Sequence, residues 1–174
     1  PASPVYVGRL ALDSTQIGGK WVTPAWHPAA SLTPARRDRT VGWLQKFVPA
    51  HIAVFGEAPY RNYTIFQRSD TVVNGGGLEH QSSQVDEVLT SQLDAPWLPG
   101  LYSHEFFHAW NVKRLRPADP VPYRSDDAQP TTWPWVSEGI TDYSRHPPPP
   151  RRVFTATAAI PDDMSPATHN PNHA

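Results

Sequence analysis

The chain of 174 residues contains no cysteine. That excludes a disulfide framework and any thiolate metal site, so a metal held here must sit on histidine and carboxylate side chains. Net charge is missing too: 15 lysines and arginines stand against 16 aspartates and glutamates. A balance of −1 gives no reason to expect nucleic acid or an anionic membrane as a partner. No apolar run approaches the ~20 residues of a membrane-spanning helix. No signal-peptide pattern opens the sequence, which begins with Pro1 in place of Met and has the look of a fragment. Proline, by contrast, is plentiful: 21 of 174 residues, against ordinary usage of roughly 5%.

The most informative run is His104-Glu105-Phe106-Phe107-His108, an H-E-x-x-H in a stretch that should be helical. Four residues advance a helix by about 400°, so both imidazoles leave the same face one turn apart. Two neutral imidazoles so placed begin a zinc site, and Glu105 between them is aimed to take a proton from a bound water. A catalytic zinc takes a third protein ligand and leaves one position open. Glu138, thirty residues beyond His108, meets that need, and Asp142 one helical turn later could accept the free N–H of a ligand histidine. The competing reading makes Glu138 a helix cap and Asp142 merely exposed.

Around this motif the chain reads as one α+β domain over residues 1–145. Val5–Val7 and Trp21–Thr23 have strand composition, with Gly18-Gly19 as a turn between them. Thr33 and Pro34 fit the N-cap and first position of a helix, whose face is Val41, Leu44, Val48, Ile52 and Phe55. Pro49 should kink or split that helix, and Gly56 ends it. Tyr63–Gln67 alternates like a strand, and the polar stretch 81–95 reads as loop or short helix. A helix is expected from Leu98 to Lys113, with Trp110 and Asn111 packing around it. Lys113, Arg114 and Arg116 would then complement the dipole at its C-terminal end. A proline-punctuated loop follows, then a last helix from Pro134-Trp135. Beyond Arg145, four consecutive prolines lead into an Ala/Thr/Pro/Asn tail, and 146–174 is predicted to be disordered.

Four stretches together resemble the glycyl aminopeptidase family of gluzincin metallopeptidases: Phe55–Tyr60, Gly76–His80 with Ser82-Ser83, the long run His104–Pro117, and Ser137–Tyr143. The resemblance covers roughly residues 40–144. It implies a thermolysin-like catalytic domain, with zinc on His104, His108 and Glu138 and with Glu105 as general base. Gly-Leu-Glu-His is similar in place and type to the amine-binding strand of related aminopeptidases. On that analogy Glu79 would anchor the substrate's α-amine, Gly77 would let the strand approach the peptide, and His80 would be a possible contact. The resemblance also implies a peptide substrate with Gly or Ala first. The family normally continues with a second tyrosine after Asp142-Tyr143, where this chain has Ser144 and then the proline tail. The expectation is therefore an incomplete lower helical half and a poor catalyst. The same site without an amine anchor would be an endopeptidase, and an inactive fragment would bind zinc or peptide only.

Overall fold

The computed structural model describes residues 4–115 and 135–144. Its frame is a mixed sheet of six strands: β1 (Ala11–Leu12), β2 (Thr15–Ile17), β3 (Lys20–His27), β4 (Asn62–Asp70), β5 (Gly76–Glu79) and β6 (Ser83–Leu89). The spatial order is β1-β3-β4-β6-β5, with β2 also paired to β3. β3, β4 and β6 run parallel, and β1, β2 and β5 pair antiparallel at the margins. Val5–Val7, expected to be a strand, is not one; the first pairing begins at Ala11. The Gly18-Gly19 turn is as expected, and both residues sit at positive φ (59° and 74°) where a side chain would be strained.

Helix α1 (Pro34–Phe55) crosses over from β3 to β4. Thr33 caps it, its Oγ1 accepting from the Arg36 N–H at 3.3 Å, and Gly56 closes it in a left-handed conformation at φ 79°. The buried side is Thr40, Leu44, Phe47, Val48 and His51, with Ile52 and Phe55 packed beside it. Pro49 does not split the helix, which runs unbroken from Pro34 to Phe55. The missing N–H costs one hydrogen bond, and the buried residues on both sides of Pro49 hold the turn in place.

Helix α2 (Leu98–Phe107) lies against α1, β5 and β6. Phe106 fixes it there, its ring 4.3 Å from Tyr63 and 5.5 Å from both Phe47 and Tyr60. One side chain thus joins both helices to the sheet.

The largest departure from expectation is residues 83–89, read as loop or short helix and found as β6 in the middle of the sheet. The strand period was masked because its core-facing positions are polar: Gln84 and Asp86 are fully buried beside Val88. Gln84 Nε2 donates to Asp86 Oδ2 at 2.9 Å, and the Tyr102 hydroxyl donates to Gln67 Oε1 at 2.7 Å. Burial pushes the Asp86 carboxyl well above the ordinary aspartate range. The boundary at 145/146 and the tail 146–174 lie outside the described residues.

Because Phe106 joins three elements, Phe106→Ala is expected to cost about 3–5 kcal/mol in urea unfolding. A loss below 1 kcal/mol would show that the aromatic cluster does not hold α2 on the sheet.

Candidate metal centre

His104 lies inside α2, and His108 caps it with its backbone still helical (φ −61°, ψ −15°). The helical spacing therefore carries through although the helix ends at Phe107, well before the expected Lys113. The two Nε2 atoms face each other at 3.2 Å, with the rings 82° apart. Behind them, His104 Nδ1 donates to Asp142 Oδ1 at 3.1 Å and His108 Nδ1 donates to the Asn111 carbonyl at 3.2 Å. A carboxylate and a carbonyl can only accept, so both Nδ1 atoms carry the proton. Burial lowers the pKa of His108, which favours the neutral ring. With the rings neutral, the two Nε2 lone pairs are turned toward one another.

Glu138 completes the group. It lies in a π-helical turn (Trp135–Gly139) that leads into α3 (Ile140–Ser144). Its Oε2 is 3.3 Å from His104 Nε2 and 3.7 Å from His108 Nε2. Three electron-rich atoms so close repel one another unless a cation lies between them. Bonds of about 2.0–2.1 Å in tetrahedral geometry place ligand atoms about 3.3 Å apart. The observed triangle of 3.2, 3.3 and 3.7 Å has that size.

The segment bearing Glu138 is tied to α2 by one side chain. Asn111 Nδ2 lies 3.1 Å from the Val136 carbonyl, 2.9 Å from that of Ser137 and 3.0 Å from Thr141 Oγ1. Asn111 therefore orients one ligand through its backbone and positions another through its side chain. Expected only to pack around the helix, it is a site residue that the sequence reading missed, although its place three residues after His108 marks the same helical side.

Glu105 points from α2 toward β5. Its side chain lies so close to Gly77 that a methyl group there would collide with its Cγ and carboxyl atoms. Glu105 Oε2 is buried with no hydrogen-bond partner among the described residues. Burial, reinforced by Glu79 and Glu138 and opposed by Lys113, pushes this carboxyl up to about 8. Glu79 reaches the same place: one ligand atom each from Glu79, Glu105 and His108 lie within 4.8 Å of one another. Its Oε1 accepts from Lys113 Nζ at 2.9 Å. Burial alone would raise the Glu79 pKa, but the bond and charge of Lys113 outweigh it and hold the carboxyl low.

Lys113 thus serves Glu79 in place of the expected helix-dipole contact. The turn that delivers it is strained. Val112, a β-branched residue, sits at φ 85°, a conformation that costs roughly 1–2 kcal/mol. Val112 N–H donates to the Leu115 carbonyl at 2.8 Å and Lys113 N–H to that of His108 at 3.2 Å, closing the chain back on α2. Arg114 pairs instead with Glu57 at 3.4 Å, and Arg116 lies outside the described residues. His80 follows β5 with its Nδ1 buried and without a hydrogen-bond partner among the described residues, and it is not among the converging groups.

Residues 97–169 match the family model described as M61 glycyl aminopeptidase. Over those residues the chain is similar to the M61 glycyl aminopeptidases. A solved structure of an aminopeptidase N family protein from Idiomarina loihiensis superposes with a TM-score of 0.69 at 28% identity, over 79% of this chain. The chain spans 24% of the length of that protein. No curated protein matches it. The M61 match takes in α2, Asn111, Lys113 and the Glu138 segment, while Glu79 and β5 lie upstream of it.

The raised Glu105 carboxyl has a consequence for stability. Its folded pKa of about 8 lies above the unfolded value of about 4.3, so the folded state holds the proton more tightly. In the metal-free chain, stability should fall as pH rises from about 4.5 to about 8. Glu105→Gln has no such proton to lose. It is expected to melt with wild type at pH 5 and a few degrees higher at pH 9, by circular dichroism. A melting difference independent of pH would contradict this.

Proposed function

We propose that this chain carries the metal-binding part of a zinc aminopeptidase site in a thermolysin-like frame. The observation that carries the reading is the convergence of His104 Nε2, His108 Nε2 and Glu138 Oε2, with both imidazoles held from behind. This donor set, two neutral nitrogens and one carboxylate, suits zinc. When bound there, zinc would acidify a water and polarise the scissile carbonyl.

The chain's own residues supply the rest. Glu105 Oε2, buried beside the ligands and without a partner among the described residues, would receive the proton of the attacking water and return it to the leaving amine. β5 is the last strand in the sheet order and lies next to α2, so an extended peptide could pair along it. Gly77 keeps that approach open and makes room for Glu105. Glu79, at the end of β5, would then meet the peptide's free α-amine, which makes the cleavage exopeptidic. The family description favours glycine at the first position. The ion pair between Glu79 and Lys113 favours a second reading, an endopeptidase in which Glu79 binds no amine.

Zinc in the purified chain, measured by mass spectrometry, is expected near one equivalent and lost in His104→Ala. Asn111→Ala should weaken zinc affinity about 10–100-fold, since it releases the Glu138 segment and disturbs His108 together. Glu105→Ala should keep zinc and abolish hydrolysis of a glycyl chromogenic substrate. Glu79→Ala should remove cleavage at free N-termini alone; if cleavage of blocked and free peptides falls equally, the endopeptidase reading takes its place. Absence of zinc under saturating conditions would sink the proposal.

A further inference from the structure

The aminopeptidase reading gives Lys113 no role. Its ammonium rests 2.9 Å from Glu79 Oε1, and the two side chains are only 20% and 23% exposed. Such a pair is partly sheltered from water and salt. It also lies beside the reacting groups, since the same carboxylate comes within 4.8 Å of Glu105 and His108. A lysine ammonium and a peptide's α-ammonium are the same chemical group, each with three donors and one positive charge. Both ask the same thing of Glu79.

The backbone indicates that this place is held and not relaxed. Lys113 follows directly on Val112, whose φ of 85° is adverse for a β-branched side chain.

We propose that Lys113 is a specificity-determining residue: a resident ammonium on Glu79 that a substrate's free α-amine must displace. The inference rests on Glu79 being the amine anchor. It adds that the anchor is internally occupied, so a ligand with a blocked N-terminus leaves the pair in place. Binding of a cationic N-terminus is weakened by the exchange, and selectivity for free amines becomes a difference between two ammonium groups.

The test uses the purified chain with 15N-labelled lysine; the sequence has only Lys20, Lys46 and Lys113, so the side-chain signals are readily assigned. Glycinamide and N-acetylglycinamide serve as probes. Glycinamide should shift the Lys113 Nζ signal, and N-acetylglycinamide should not. Lys113→Met should bind glycinamide about fivefold tighter, with N-acetylglycinamide unchanged and Lys113→Arg returning to weak binding. Should Lys113→Met fail to fold, Lys113→Gln makes the same comparison. Glycinamide affinity that is lost in Glu79→Gln but equal or weaker in Lys113→Met overturns the resident-ammonium proposal and leaves the anchor standing. Affinity insensitive to Glu79→Gln, or no glycinamide binding at all, overturns the anchor itself and this proposal with it.

Discussion

The constraint on which the rest depends is the orientation of two imidazole rings. Helical spacing brings His104 and His108 to one face, but spacing alone leaves each ring free to rotate. The acceptors behind them, Asp142 and the Asn111 carbonyl, take the Nδ1 protons and turn the Nε2 lone pairs inward. That arrangement is electrostatically unfavourable in isolation. It persists because each acceptor is held by other contacts: the Asn111 carbonyl by the turn after α2, and Asp142 by the Asn111 side chain that ties its segment across.

Much of this was legible in the sequence. The H-E-x-x-H spacing and the Glu138/Asp142 pair named the converging groups, and Thr33-Pro34 with Gly56 marked both ends of α1. Those signals are local, set by the backbone within one turn. What escaped was non-local. β6 looked like a loop because Gln84 and Asp86 stand at core positions where apolar residues would ordinarily reveal the strand period. Lys113 looked like a helix-end cation because a left-handed valine gives no warning in the sequence that the helix stops at Phe107.

The buried polar layer on β4 and β6 has its own logic. Gln67, Gln84, Asp86 and Tyr102 hydrogen-bond to one another and to the backbone across strands and helix, at a depth where unpaired groups are costly; Gln84 Oε1 has no partner among the described residues. Such a layer fixes register more sharply than an apolar one, because a one-residue slip would orphan several donors at once. Register in turn sets where β5 hangs on β6, and so where Gly77 meets Glu105.

The two histidines and Glu138 differ in how they are mounted. The histidines stand on a helix packed into the core, whereas Glu138 and Asp142 are largely solvent-facing and tied across by Asn111. A centre built this way has a firm side and a yielding side. An ion held here would exchange through the yielding side, at a rate set by how often the Asn111 contacts open and not by motions of α2. The Asn111 side chain would then bear on how long the ion stays as well as on how strongly it is held.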